Sequence, residues 1–175
     1  MVLKTPSLVY LDYSSYVAGN YYVVLDSLVE ARLDLRLYEP IIYDEDGLWN
    51  EEVFGNITNL IEAIRTIKIL HLSPSSLEGL VHRVTYCCGD ACACIRMKDR
   101  EIVSCLSRCR VKVLKILGYG GSFRELKQMR HFLGKLKCLE TVKVGVKEGS
   151  KKSNYMVANV MALPRVSSKC KIQFI

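Results

Sequence analysis

A chain of 175 residues, half of them apolar, is long enough to bury one core of ordinary domain size. Its apolar runs are too short to cross a bilayer, and the opening MVLKTPSLVYLDYSSY lacks the continuous apolar stretch of a secretory signal. No membrane partner is therefore expected, the expected location is cytoplasmic or nuclear, and the eight cysteines are read as reduced thiols.

The net charge of +7 is unevenly spread: residues 1–60 carry −7 and residues 61–175 carry +14. No recognised binding motif accompanies the basic half, so it reads as a solvated face and argues against nucleic acid as a partner. Along the chain, Leu8, Leu11 and Tyr13 follow the L-x-x-L-x-L spacing of a leucine-rich-repeat strand. Leu28, Ala31 and Leu33 repeat it 20 residues on, and Ile67, Leu70 and Leu72 repeat it after 39 more. Inside that longer interval, Asp44–Gly47 is a polar turn and residues 51–65 read as a helix with Val53, Ile57, Leu60, Ile61 and Ile64 as its buried stripe. Trp49 reads as a lid on the core. Ser73–Ser76 is a turn, and from there to Arg110 no repeat strand occurs, as though one turn of the array were missing or replaced by a loop.

Val111, Leu114 and Ile116 restart the spacing, and Leu139, Val142 and Val144 repeat it 28 positions later. Between them lies the clearest helix. Ser122 and Glu125 form S-x-x-E, a capping box, and Leu126, Met129, Phe132, Leu133 and Leu136 fall on one face. Burying each such side chain is worth about 1.5–3 kcal/mol. Ordering the backbone from Ser122 to Lys137 costs about 1–2 kcal/mol per residue. The helix must therefore lie on a sheet to be stable. A short apolar helix over 155–163 precedes Pro164, and SSKCKIQFI alternates as a half-buried edge strand, with Cys170, Ile172 and Phe174 inward and Lys169, Lys171 and Gln173 outward.

Candidate chemistry is sparse. Cys87, Cys88, Cys92 and Cys94, with His82 near, could ligate zinc, but the spacing departs from paired C-x-x-C units and reads as a reduced loop cluster. Cys105, Cys109, Cys138 and Cys170 read as small buried hydrophobes at element borders. G-Y-G-G-S at 118–122 lacks the spacing and lysine of a phosphate loop, and a turn followed by a helix cap explains it. With no nucleophile elbow and three scattered histidines, no enzyme activity and no cofactor or metal is expected.

The expected fold is α/β, an irregular leucine-rich-repeat solenoid of parallel strands with convex helices. In each repeat the residue between the two later apolar positions points to the concave surface. That position is Asp12, Arg32, His71, Lys115 and Lys143 in turn. His71, Lys115 and Lys143 are the candidate protein-binding residues, and an acidic target suits them.

CRVKVLKILGYGGSFRELKQMRHFLGKLKCLETVKV with the terminal LPRVSSKCKIQFI resembles the FBD domain of plant F-box/FBD/leucine-rich-repeat proteins. TPSLVYLDYSSYVAGNYYVVLDSLVEARLDL and TNLIEAIRTIKILHLSPSSLE resemble the repeat region that precedes it. The resemblance implies three parts: a repeat region over 1–78, a Cys-rich irregular segment over 79–104 and an FBD unit over 105–175. It implies a non-enzymatic interaction module like the target-recognition half of a ubiquitin-ligase adaptor. Repeat sequence begins almost at Met1, so the expectation is a chain without the F-box that does not bind a Skp-type adaptor. Other readings are a truncated gene remnant with no specific function, or a small metal- or nucleic-acid-binding protein using the Cys cluster and the basic half. An uncapped first strand near Leu8–Tyr13 also leads us to expect self-association through that edge.

Overall fold

The computed structural model describes residues 1–18, 20–36, 58–77, 105–149 and 154–175. Six strands form one wholly parallel sheet, and their order in space is their order in the chain. They are β2 (Tyr10–Tyr16), β4 (Glu30–Arg36), β5 (Ile69–Leu72), β6 (Val113–Tyr119), β7 (Thr141–Val146) and β8 (Lys171–Phe174). Two shorter strands, β1 (Val2–Lys4) and β3 (Tyr22–Val24), pair with each other in parallel apart from it. Sequence periodicity did not predict these two, because three residues are too few to establish an alternation.

The repeat spacing becomes a physical register. Leu11, Ala31, Leu70, Leu114, Val142 and Ile172 stand side by side across the sheet. The next inward row is Tyr13, Leu33, Leu72, Ile116, Val144 and Phe174. Interior members of both rows are at most 2 % exposed, while the edge residues Leu11 and Ile172 reach 8 %. Leu28, Ile67, Val111 and Leu139, which open four of the motifs, are buried as well. One apolar cluster joins these rows to the helices.

The described helices are few and short. α1 (Thr58–Ala63) tightens into a 3-10 turn over Ile64–Thr66. It is the described part of the helix expected over 51–65; Leu60, Ile61 and Ile64 are buried as expected, while Val53, Ile57 and Trp49 lie outside the described residues. α2 (Phe123–Lys135) is capped as its sequence demands: the Glu125 amide donates to Ser122 Oγ at 3.2 Å, and the Glu125 carboxylate accepts from the Ser122 amide at 2.8 Å. Met129, Phe132, Leu133 and Leu136 are buried and Leu126 is half-buried. α3 (Asn154–Met161) stops short of the expected Leu163, in a tight turn where the Leu163 amide donates to the Val160 carbonyl at 3.2 Å.

β5 pairs directly with β6, so no strand intervenes between them in the sheet; residues 78–104, the bulk of the interval expected to lack a repeat strand, lie outside the described residues. β5 ends at Leu72 while β4 continues to Arg36, so β4 needs another partner there. The wholly buried Ser76 provides one: its hydroxyl donates to the Leu33 carbonyl at 2.8 Å and accepts from the Leu35 amide at 2.6 Å. Cys109 and Cys170 are buried as expected, and burial pushes the Cys109 thiol up to about 12. Cys138 is exposed instead, because Leu136 and Leu139 on either side of it take the inward positions of that turn.

Candidate functional site

The inward face of the sheet is filled, and the outward face carries the polar residues. In register across it lie Asp12, Arg32, His71, Lys115, Lys143 and Gln173. Side chains on a strand alternate, so each of these points away from the buried rows beside it. The structure thus brings His71, Lys115 and Lys143 together on three adjacent strands, as expected, and extends the row by Gln173.

The two ends of this row differ. On the β2–β4–β5 side every charge is engaged. Arg32 lies 3.7 Å from Asp12, and Glu30 lies 2.5 Å from His71 Nε2. Asp34 accepts from Ser14 Oγ at 3.0 Å and from Arg36 at 3.3 Å. Hydrogen bonding from Ser73, then from Ser14 and Arg36, holds the Asp34 carboxyl below the ordinary carboxylate range, against an opposing effect of burial. His71 has a side chain only 12 % exposed. Burial pushes its pKa below the usual histidine value; nearby Lys115 acts the same way, and the Glu30 carboxylate opposes them.

On the β6–β7–β8 side the charges are of one sign. Lys115 and Lys143 are directly opposite in register, so their strands hold them roughly 4.8 Å apart at the backbone. Neither takes part in an ion pair among the described residues, whereas Lys112 nearby is neutralised by Glu140 at 2.8 Å. Lys171 follows, exposed, on β8. Like charges opposite one another are unfavourable on a sheet. A carboxylate from outside would relieve that repulsion.

Sequence reasoning did not find Glu30, Asp34 or Ser73. Each lies two positions from a residue of the row, but the Glu30–His71 and Asp34–Ser73 contacts depend on pairing β4 with β5 across 39 residues. The glycines before α2 serve the turn and the helix cap. Gly118 and Gly121 take φ of 87° and 82° to turn the chain, and the amides of Gly120 and Ser122 both donate to the Glu125 carboxylate. A side chain at Gly121 would also meet Met156 Cε at 2.6 Å. Cys87, Cys88, Cys92, Cys94 and His82 lie outside the described residues, and among the described residues no three metal-ligating side chains cluster. No helix among the described residues is long and apolar enough to cross a membrane.

No family model matches the chain, and no solved structure does. In sequence it is similar to an F-box protein of Arabidopsis thaliana, 78 % identical over 221 aligned residues that span 100 % of this chain and 49 % of that protein. It is similar to two F-box/LRR-repeat proteins of the same plant: one 44 % identical over 248 residues (98 % of this chain, 51 % of the other), the second 43 % identical over 237 (99 % and 50 %). The chain therefore spans about half the length of the relatives it matches. In the first alignment 175 residues are laid along 221 positions, so 78 % is close to the highest identity those lengths permit. Within that alignment the difference is chiefly positions of the relative that have no counterpart in this chain.

Proposed function

Because this chain belongs to the plant F-box/LRR-repeat family, we propose that it is a non-enzymatic protein-interaction module, the target-recognition half of a ubiquitin-ligase adaptor, acting in the cytoplasm or nucleus. In this reading the parallel sheet is a leucine-rich solenoid, residues 105–175 form an FBD unit at its end, and the outward row receives the target.

The observation that carries the reading is the placement of His71, Lys115 and Lys143 in one row on adjacent strands, with the two lysines lacking ion-pair partners among the described residues. A pair of adjacent cations on an open face attracts an acidic segment and speeds its encounter. The test is affinity capture from plant extract with the unaltered chain and with the double variant Lys115→Glu/Lys143→Glu, quantified by mass spectrometry. The variant is expected to keep its circular dichroism spectrum and melting temperature, since both positions face outward. It should lose the proteins that the unaltered chain releases at raised salt. Capture of the same proteins with the same salt response by both chains would place the target elsewhere.

A further inference from the structure

The outward face carries two further rows, one on either side of the row that holds Lys115 and Lys143. Toward the strand starts, Glu30, Ile69, Val113 and Thr141 stand in register. Toward the strand ends, Leu117 stands beside Gly145. Alternation places all of them on the same face as the lysines. On β4 the flanking positions are carboxylates, Glu30 before Arg32 and Asp34 after it. On β5 and β6 they turn apolar: Ile69, Val113 and Leu117 are half-buried although they face away from the core. The apolar surface at Leu117 is wider than one strand. A side chain begun at Gly145 would meet Leu117 Cδ2 at 3.3 Å, so Leu117 leans over β7 where Gly145 leaves room. The paired lysines thus lie between two apolar strips.

Spacing decides what such a surface can hold. Outward residues on β6 recur every second position, about 6.6 Å apart. An extended peptide laid along β6 turns alternate side chains toward it at that same spacing. When its central contact falls on Lys115, the contacts two residues to either side fall on Val113 and Leu117. One carboxylate at the centre can lie between Lys115 and Lys143, whose strands are about 4.8 Å apart. Apolar side chains at the flanking positions then cover Val113 and Leu117. A run of acids fits worse, because it would press carboxylates onto those two apolar side chains and away from water. The Glu30 carboxylate, held at the His71 ring, repels an acid on the β4 side and so favours the place between β6 and β7.

Resting on the reading that the outward face receives the target, we propose that the segment bound there is an extended peptide with one acidic residue and an apolar residue two places to either side of it. The lysine pair selects the charge, and Val113 and Leu117 select its neighbours.

A titration followed by nuclear magnetic resonance tests this with the full, isotopically labelled chain and four synthetic nonapeptides in a serine–glycine background. The first has glutamate at its centre and leucine two places to either side. The second keeps only the glutamate, the third keeps the leucines around a central glutamine, and the fourth has glutamate at all three places. The first is expected to bind about tenfold more tightly than each of the others and to shift the amides of Val113–Leu117 and Thr141–Gly145 most. Val113→Ser and Leu117→Ser, each shown to be folded by circular dichroism, should remove most of the preference for the first peptide over the second. If the second or the fourth peptide binds as tightly as the first, this inference falls and the acidic-target reading stands. If the third binds as tightly, or if Lys115→Glu/Lys143→Glu leaves the affinity of the first unchanged, both fall. Binding by none of the four overturns this inference, while the capture experiment still decides the reading on which it rests.

Discussion

At the β2–β4–β5 end of the sheet every outward charge has a partner: Asp12 pairs with Arg32, Asp34 pairs with Arg36, and Glu30 is hydrogen-bonded to the His71 ring. At the β6–β7–β8 end the matching stops, and Lys115 and Lys143 sit beside each other. Both ends present the same inward pattern to the core, so the difference is not required for folding. Charges already engaged within the sheet leave less for a partner to recognise, whereas two adjacent lysines leave a field that an acidic segment can satisfy. Charge therefore divides the outward face into a part whose charges are largely engaged within the sheet and a part that presents two adjacent lysines.

The ends should also differ in how much stability each holds, and this is where the largest effect is expected. Phe132 on α2 is fully buried behind the basic end, whereas Leu11 is buried only by β4 and the edge of the core. Phe132→Ala should cost about 3–5 kcal/mol and Leu11→Ala about 2 kcal/mol, read from urea unfolding midpoints. Equal costs would mean that the core is uniform across the sheet. A smaller loss is expected at the boundary between the ends. Ser76→Ala removes the hydroxyl that serves both Leu33 and Leu35, leaving their main-chain groups without that partner. The expected loss is about 1–3 kcal/mol, and Ser76→Thr should recover part of it if the hydroxyl, and not its volume, is what matters.

The smallest effect concerns pH. His71 sits at the join of the two ends with its pKa lowered by burial, and His131 on α2 is lowered by burial as well. A histidine whose folded pKa lies below its unfolded value takes up protons more readily when unfolded. Its contribution is thus complete above the ordinary histidine pKa of about 6.5 and is lost as pH falls below it. Stability should fall between pH 7.5 and 5.5, and His71→Gln should flatten that slope while leaving the His131 part. An unchanged slope would show that Glu30 compensates the burial of His71 fully.

Much of this was legible in the residues. L-x-x-L-x-L spacing located five of the six strands, and strict alternation located the sixth; each depends only on which side chains are apolar and on the two-residue period of a strand. Ser122 and Glu125 announced the start of α2 because a capping box is complete within four residues. The outward row was also readable, since its members are tied to the apolar positions beside them. Cys138 misled because a turn with two leucines has no inward place left for a third residue. β1 and β3 gave no signal at three residues each.

The sequence by itself determined the period: which residues enter the core, which face outward, and where the long helix begins. All of these are settled by contacts between near neighbours. Only the tertiary structure decided which strands adjoin, and with that which charges meet. Glu30 reaches His71, and Ser76 reaches Leu33 and Leu35, across about 40 residues of chain. Such contacts follow from the order in which parallel strands stack, and periodicity within a strand carries no information about its neighbour.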